Sequence, residues 1–530
     1  MHTVEGEVSL SMASKCVIAA VGAIIACYAL ALLGGWPQHA TSLIIEESAV
    51  IAAAPTESAA PQPPAEEAPP PPLIMILPFV LMLGAIAVMP ILRGAKHWWD
   101  SNLHRFYVAG GLALITILYY ALAHHFSIIG HFPARHISEV PPGEMVHLAT
   151  VGDILANAIL NEYFPFIILL MSLYTISGGI RIEGNLPAHA LTNTVFLAIG
   201  AVLASFIGTT GAAMVLIRPL LETNRERKHV VHTVIIFTFI VCNCGGLLLP
   251  LGDPPLFLGY LHGVPFLWTL TLWKEWLFIN GALLAIYFVW DNFFIYPLEE
   301  ARDLARDEAR VHRLRFAGWQ LNGLLLIGVI LAVAFLDPSK AVPGTNWHPW
   351  LYLREVVQLT LLAASLLFGS THARKMNDFN YAAILEVAVL FLGIFICMQP
   401  ALQILHAYGH KLHVDNPHRF FWATGTLSSF LDNAPTYLVF FELASAMTRA
   451  AGEGVLQLQS GAYIREDLLA AISLGAVFMG SMTYIGNGPN FMVKSIAKSW
   501  GVKMPSFFGY MVYSCTILLP LLVLLNVLFF

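Results

Sequence analysis

The chain has 530 residues, 57% of them hydrophobic and 11% charged, with mean hydropathy +0.70 and a formal net charge of −6. Soluble domains carry about 25% charged residues, so a chain this apolar cannot cover itself with polar surface in water, and lipid is its natural solvent. It has no basic surplus and no basic tail, which excludes nucleic acid as a partner.

From the amino terminus, residues 1–15 are polar, and Lys15 stands just before an apolar run from Cys16 to Leu33. That pattern suits a signal peptide over residues 1–34 and equally an uncleaved anchor helix. A low-complexity stretch rich in Pro, Ala and Glu runs from Ala52 to Pro72, and residues 35–72 read as a Pro/Ala-rich disordered linker outside the membrane fold. A bilayer core needs about 20 apolar residues per helix. Segments that meet this length are 73–92, 106–123, 161–179, 232–250, 275–296, 317–336, 349–368, 381–399, 466–485 and 507–529. Two further apolar segments, 189–222 and 417–448, are too long for one span, and each is broken near its middle by small residues or proline.

Lysine and arginine set the orientation. Arg93, Lys96 and Arg105 flank the first two spans; Arg225, Arg227 and Lys228 follow the first broken segment; Arg302, Arg306, Arg310, Arg313 and Arg315 fill the central loop; Arg374 and Lys375 lie further on. With all of these in the cytoplasm, the spans alternate only if each broken segment enters and leaves on one side. The first hairpin then opens to the cytoplasm and the second to the periplasm.

The two halves also match in sequence. Ser205-Phe206-Ile207-Gly208-Thr209-Thr210-Gly211-Ala212 aligns with Ser429-Phe430-Leu431-Asp432-Asn433-Ala434-Pro435-Thr436, and Gly252-Asp253-Pro254-Pro255-Leu256-Phe257 aligns with Gly486-Asn487-Gly488-Pro489-Asn490-Phe491. Ordered matches in halves of opposite orientation are a mark of secondary transporters. The expected fold is an all-α polytopic membrane protein. It has about 10 transmembrane helices plus two re-entrant hairpins in two inverted-topology repeats, and an extra N-terminal helix. The first repeat covers 73–300, a cytoplasmic charged linker 301–316, and the second repeat 317–530.

Backbone breaks at membrane depth are tolerated where they line a cavity or are buried in protein. The breaks expected here are Gly208 to Gly211, Gly252 to Pro255, Asp432 to Pro435 and Gly486 to Pro489. They free carbonyl oxygens for a cation and expose helix N-termini that favour anions. Asp432 and Asp253 are the acidic candidates, since an ionisable residue at this depth is costly to keep without a use. Burial favours the acid and a bound cation favours the carboxylate, so such a group can trade a proton for a cation. Thr209, Thr210, Gly211, Asn433, Thr436, Asn487 and Asn490 supply backbone, hydroxyl and amide groups beside the breaks, with local capping as the plainer role for the polar side chains. Ser428, Ser429 and Thr483 are weaker candidates. Glu386, early in its span, is a possible proton relay or an interfacial acid; Arg218 is a possible anion clamp or an arginine reaching for the interface.

The histidines, such as His124, His125, His131, His136, His406, His410, His413 and His418, read as solvated loop residues, and no metal site is expected beyond the transported cation. The six cysteines, Cys16, Cys27, Cys242, Cys244, Cys397 and Cys515, read as small core hydrophobes. No phosphate-cradling loop, zinc-binding helix motif or Gly-x-Ser-x-Gly elbow appears, so neither an enzyme nor a cofactor is expected.

Leu431-Asp432-Asn433-Ala434-Pro435-Thr436, with a Gly-Asp-Pro-Pro or Gly-Asn-Gly-Pro-Asn break after each hairpin, resembles the ion transporter superfamily. Residues 73–530 are similar to bacterial citrate transporters and D-type sodium/proton antiporters of that superfamily. The resemblance implies ion sites at the hairpin tips (Thr209, Thr210 and Gly211 at one; Asp432, Asn433 and Thr436 at the other). It also implies alternating access, a homodimer, and a bacterial-type inner membrane. The first tip, Gly208-Thr209-Thr210-Gly211, departs from the family pattern, which puts a symmetrical pair of sodium sites in doubt. Sodium/proton antiport is the first expectation, with Na+ and/or H+ as the coupling ion. The alternative is cation- or proton-coupled transport of citrate or another di- or tricarboxylate. The tiebreaker is repulsion: at ~4 Å and an effective dielectric of about 20, Asp432 would oppose a carboxylate by about 4 kcal/mol unless protonated or covered by a metal ion. Other ions and a non-transporting scaffold complete the field.

Overall fold

The computed structural model describes residues 11–53 and 69–530, except 91, 93, 141–144, 412, 413, 415, 449, 450, 459 and 460. The polar first ten residues, most of the proline-rich stretch, Arg93 and His413 therefore lie outside the described residues. In chain order the helices are α1 Met12–Leu33, α2 Trp36–Ala53, α3 Leu77–Val88, α4 Asn102–Leu122 and α5 Leu148–Ser177. Next come α6 Ala190–Ile207, α7 Thr209–Thr223, α8 Val231–Ile240, α9 Pro254–Leu261 and α10 Trp268–Leu298. Then follow α11 Ala301–Ala309, α12 Trp319–Phe335, α13 Leu353–Phe368, α14 Ala382–Tyr408 and α15 Pro417–Phe430. The last are α16 Asn433–Met447, α17 Glu466–Met479, α18 Gly488–Ser499 and α19 Phe507–Phe529. Seven of these (α1, α4, α5, α6, α10, α14 and α19) are long and apolar enough to cross a membrane.

Each expected span overlaps a helix, but α3, α8, α12, α13 and α17 are shorter than a full crossing, and several bounds move. The span expected at 161–179 begins at Leu148. Its first turns carry Asp153 and Asn157, which mask the apolar signal, and they pass through a wider π turn at Ala156–Tyr163. The spans expected to run unbroken through 232–250 and 466–485 stop early, at Ile240 and Met479. Glycine follows in both cases: Gly245-Gly246 in the first and Gly480 in the second.

Residues 36–53 are a helix, which corrects the linker expected over 35–72. Pro37 suits a first helical turn, and Thr41 and Glu47 then tie α2 to the rest of the protein. Thr41 Oγ1 accepts from Leu351 N at 2.9 Å and Glu47 Oε2 accepts from Arg135 N at 3.0 Å. Helix α1 packs on α13, and Tyr28 Oη donates to Leu351 O at 3.0 Å. Residues 301–316 are likewise more than a charged linker. After α11, strand β2 (His312–Ala317) pairs antiparallel with β1 (Arg181–Asn185), in the register Arg181↔Ala317 and Glu183↔Arg315. Asp307 of α11 is buried and accepts from Ala188 N at 2.7 Å. Arg227, expected as an interfacial charge, is buried on Asp291 (Nη2 to Oδ1 2.5 Å) and Glu299 (Nε to Oε1 3.4 Å).

The helices interlock between halves. Helices α3 and α4 pack on α14, while α12 and α13 pack on α5. Closer to the centre, α9 packs on α16 and α18 on α7. One large core cluster runs through this centre, with Phe237, Phe239, Tyr437 and Tyr510 fully buried in it.

Two residue classes differ from expectation. Cys16, Cys27 and Cys515 are exposed, and only Cys242, Cys244 and Cys397 are buried; an apolar run does not reveal which helix face turns outward. His124 is buried rather than solvated, because the chain folds back over it. His147 Nδ1 lies 2.6 Å from His124 O, and His147 N donates to Ala121 O at 2.9 Å.

Candidate functional site

The segments 189–222 and 417–448 each form two helices separated by a short break. In the first, Gly208 turns the chain with φ 78°, a conformation open to glycine, so α6 ends and α7 begins across one residue. In the second, α15 ends at Phe430 and Leu431-Asp432 run extended before α16. Pro254 and Pro489 then open α9 and α18 in their first turns, where the lost N–H costs nothing.

Asp253 joins all of these pieces. Its Oδ1 accepts from Thr209 Oγ1 (3.0 Å) and Asn487 Nδ2 (3.0 Å), and its Oδ2 accepts from Asn433 Nδ2 (2.6 Å). Each donor starts or precedes a different helix: Thr209 α7, Asn433 α16 and Asn487 α18, while Asp253 itself precedes α9. Four helix N-termini therefore converge on one buried carboxylate. Asp253 does not cap its own helix with its side chain, which leaves its oxygens free for these cross-links.

Asp432 lies close enough to Asp253 for their charges to interact, and it holds one hydrogen bond, Oδ1 from Ala434 N at 3.2 Å. Among the described residues, no Lys or Arg hydrogen-bonds to Asp253 or Asp432. Charge arithmetic is instructive. A helix N-terminus is worth roughly +0.5 charge, so four amount to about +2, which two ionised aspartates cancel. One added proton or monovalent cation leaves the centre net positive.

Glycines let the breaks fold this tightly. A Cβ on Gly252 would sit 2.1 Å from Gly246 O, and one on Gly486 would sit 2.6 Å from Gly480 O. Both breaks thus bend back onto a glycine of their own approach. Thr209 N donates to Gly252 O at 2.8 Å, fixing the first tip to the first break.

The other expected residues divide. Asn490 Oδ1 accepts from Asn243 Nδ2 (2.8 Å), and its own amide donates to Gly480 O (2.9 Å) and Thr483 O (3.0 Å). Thr436 Oγ1 returns to Asp432 O at 2.9 Å, a local cap. Gly211 packs under Ser177, which an added Cβ would meet at 3.1 Å from Oγ. Thr210 stands half-buried beside the tip. Ser428 and Ser429 bond to Ala476 O (2.7 Å) and Met479 O (3.2 Å), holding α15 on α17. Glu386 is apart from the centre: half-exposed, it pairs with Arg105 at 2.9 Å. Arg218 is also distant along α7, 3.8 Å from Asp378, on a cavity of about 630 Å³ lined by Arg181, Glu222, Arg225, Arg310 and Trp500.

Sequence reasoning missed Asn243. Its Oδ1 accepts from Asn487 at 3.2 Å, and its amide donates to Thr238 O (2.9 Å) and Asn490. The available signal was an amide between two cysteines inside an otherwise apolar run. Also missed were Glu162, His262 and Glu442, which meet beyond the far end of α9.

No curated protein matches the chain. The model of the family described as "Putative citrate transport" matches residues 136–530, which hold both helix pairs and all four breaks. With its apolar helices, the chain is a multi-pass membrane protein, and it belongs to this citrate transport family.

Proposed function

We propose that the protein is a secondary transporter that moves citrate or a related small carboxylate, coupled to a cation or proton held at Asp253 and Asp432. The observation that carries this reading is the convergence of four helix N-termini on Asp253 with Asp432 close by and, among the described residues, no Lys or Arg hydrogen-bonded to either. N-terminal ends of helices attract an anion, while ionised aspartates repel it. Loading a proton or Na+ on the aspartates would remove the repulsion of about 4 kcal/mol estimated for one close charge pair. Carboxylate and cation would then bind together and neither well alone, which is the requirement for coupling. Asp432, with only one hydrogen bond, is the better place for the exchangeable cation; Asp253 serves as the joint between the helix pairs.

In this reading α6–α7 and α15–α16 are re-entrant hairpins of two inverted repeats. The reciprocal packing of α9 on α16 and α18 on α7 supports it. So do the paired glycine contacts at Gly246–Gly252 and Gly480–Gly486. Sodium/proton antiport is the second reading, favoured because, among the described residues, no Lys or Arg hydrogen-bonds to the two aspartates.

The test is reconstitution in liposomes. Labelled citrate uptake that requires an inward Na+ or proton gradient, and disappears in Asp432→Asn, supports the first reading. Sodium-dependent collapse of a pH gradient with no citrate movement replaces it with the second.

A further inference from the structure

We propose that Glu162, His262 and Glu442 form a second protonation site, a relay between the aspartate centre and solvent at the far end of α9. This rests on the reading that Asp253 and Asp432 form the transport site.

The geometry begins from the centre. Helix α9 starts directly after Asp253 and ends at His262, its C-cap. Helix α16 starts directly after Asp432 and carries Glu442. The two helices pack together, and at 1.5 Å per residue His262 stands roughly 14 Å along the helix from Asp253 and Glu442 roughly 15 Å from Asp432. There they meet: His262 Nδ1 lies 3.3 Å from Glu442 Oε1. From a third element, α5, Glu162 lies close enough for its charge to interact with both of them. Glu162 is 6% exposed and is carried by the π turn Ala156–Tyr163, a geometry that often marks functional positions in helices.

Two atoms in this cluster are buried without a hydrogen-bond partner: Glu162 Oε2 and His262 Nε2. A buried carboxylate oxygen left unpaired is expensive, whereas the acid form holds its proton without that cost. The surrounding groups fit such a task. Gln399 of α14 is beside Glu162, and His406 of α14 and His131 are near enough for their charges to interact with Glu442. His131 is exposed, and Arg135 and His136 lie next to it. Three imidazoles, those of His262, His406 and His131, are thus within charge range of Glu442. Among the described residues, no group of three or more His, Cys, Asp or Glu is arranged to hold a metal ion.

The step balances simply. With His262 as imidazolium, Glu442 as carboxylate and Glu162 as acid, the cluster is neutral. Proton release breaks the Glu162 O–H bond, leaves a carboxylate and a cluster charge of −1, and delivers the proton to a solvent water through the neighbouring histidines. No electron moves.

The experiment separates net coupled flux from exchange in proteoliposomes. Exchange of labelled citrate (and, in parallel, of labelled Na+) across membranes at equal pH reads the central site without net proton movement. For Glu162→Gln we expect proton-driven uptake to fall at least tenfold and to lose its pH dependence, while exchange stays within about twofold of the parent. Glu442→Gln should do the same, and Glu162→Asp should restore part of the proton-driven flux. Unchanged proton-driven uptake and pH profile in both glutamine variants would overturn the relay. So would equal loss of exchange and net flux in well-folded variants, which marks a merely structural role. If Glu162→Gln does not fold, Glu442→Gln and Glu162→Asp decide by the same two readouts. Absence of both exchange activities in the unmodified protein would instead refute the central-site reading.

Discussion

Removing the Asp253 carboxylate is the sharpest perturbation of the centre. In Asp253→Ala, Thr209 Oγ1 and Asn433 Nδ2 lose their only acceptor, whereas Asn487 keeps Cys242 O (3.0 Å) and Asn243 Oδ1 (3.2 Å). Two orphaned buried donors cost about 1–3 kcal/mol each, and no longer burying a carboxylate offsets part of that. We expect a net loss of about 3 kcal/mol in unfolding free energy, read by denaturant or thermal unfolding in detergent. Asp253→Asn should behave differently. Asn433 Oδ1 has no partner, so rotation of the Asn433 amide presents it to the new amide at position 253 and repairs the bond that alanine breaks. That variant should regain most of the stability, yet without charge it should not couple cation to substrate. Asp432→Asn removes one cap to Ala434 N, which asparagine also makes, so it should cost less than about 1 kcal/mol while abolishing coupled uptake. An Asp253→Ala protein as stable as the parent would refute the claim that this carboxylate joins the four breaks.

Other outcomes follow from the same contacts. Arg227→Ala leaves Asp291 and Glu299 buried without their cation and should cost about 3–5 kcal/mol, visible as a large fall in Tm. Gly252→Ala forces a methyl to 2.1 Å from Gly246 O and should cost about 1–3 kcal/mol and stop transport. Gly281→Ala meets nothing within 4 Å and should raise stability by up to about 1 kcal/mol with transport intact. Burial, with His125 and His147 nearby, holds the His124 imidazole down at about 4. The unfolded chain therefore takes up the proton first, near the ordinary 6.5. The stability from neutral His124 is present above about 6.5 and is lost as pH falls toward about 4. Melting temperature should drop over that window, and His124→Gln should flatten the drop.

Much of the fold was readable because hydrophobic length and glycine or proline punctuation are local signals. The tips at Gly208 and Asp432 and the breaks at Gly252 and Gly486 interrupt apolar runs in plain view, and they lie where expected. Their convergence on Asp253 was not readable, since each hydrogen bond to it comes from a residue far along the chain. Asn243 was hidden by the apolar residues on either side. Glu162 stood at the very start of the expected span 161–179, where an acid reads as interfacial; the helix in fact begins at Leu148, which puts Glu162 inside it. His262 and Glu442 are single polar residues whose meaning depends on one another. Arg227 illustrates a limit of counting charges: the count reports the side of the membrane a residue favours, and not whether its guanidinium is buried.

The ribbon of β1 and β2, together with the crossed packing of α3 and α4 on α14 and of α12 and α13 on α5, ties residues before position 300 to residues after it at many points. Peptide continuity through α11 is then redundant as a tether. Two polypeptides meeting in that stretch would hold each other by the same strand register and the same helix exchange. One long gene and a pair of half-length genes are, for this architecture, alternative ways of writing a single particle.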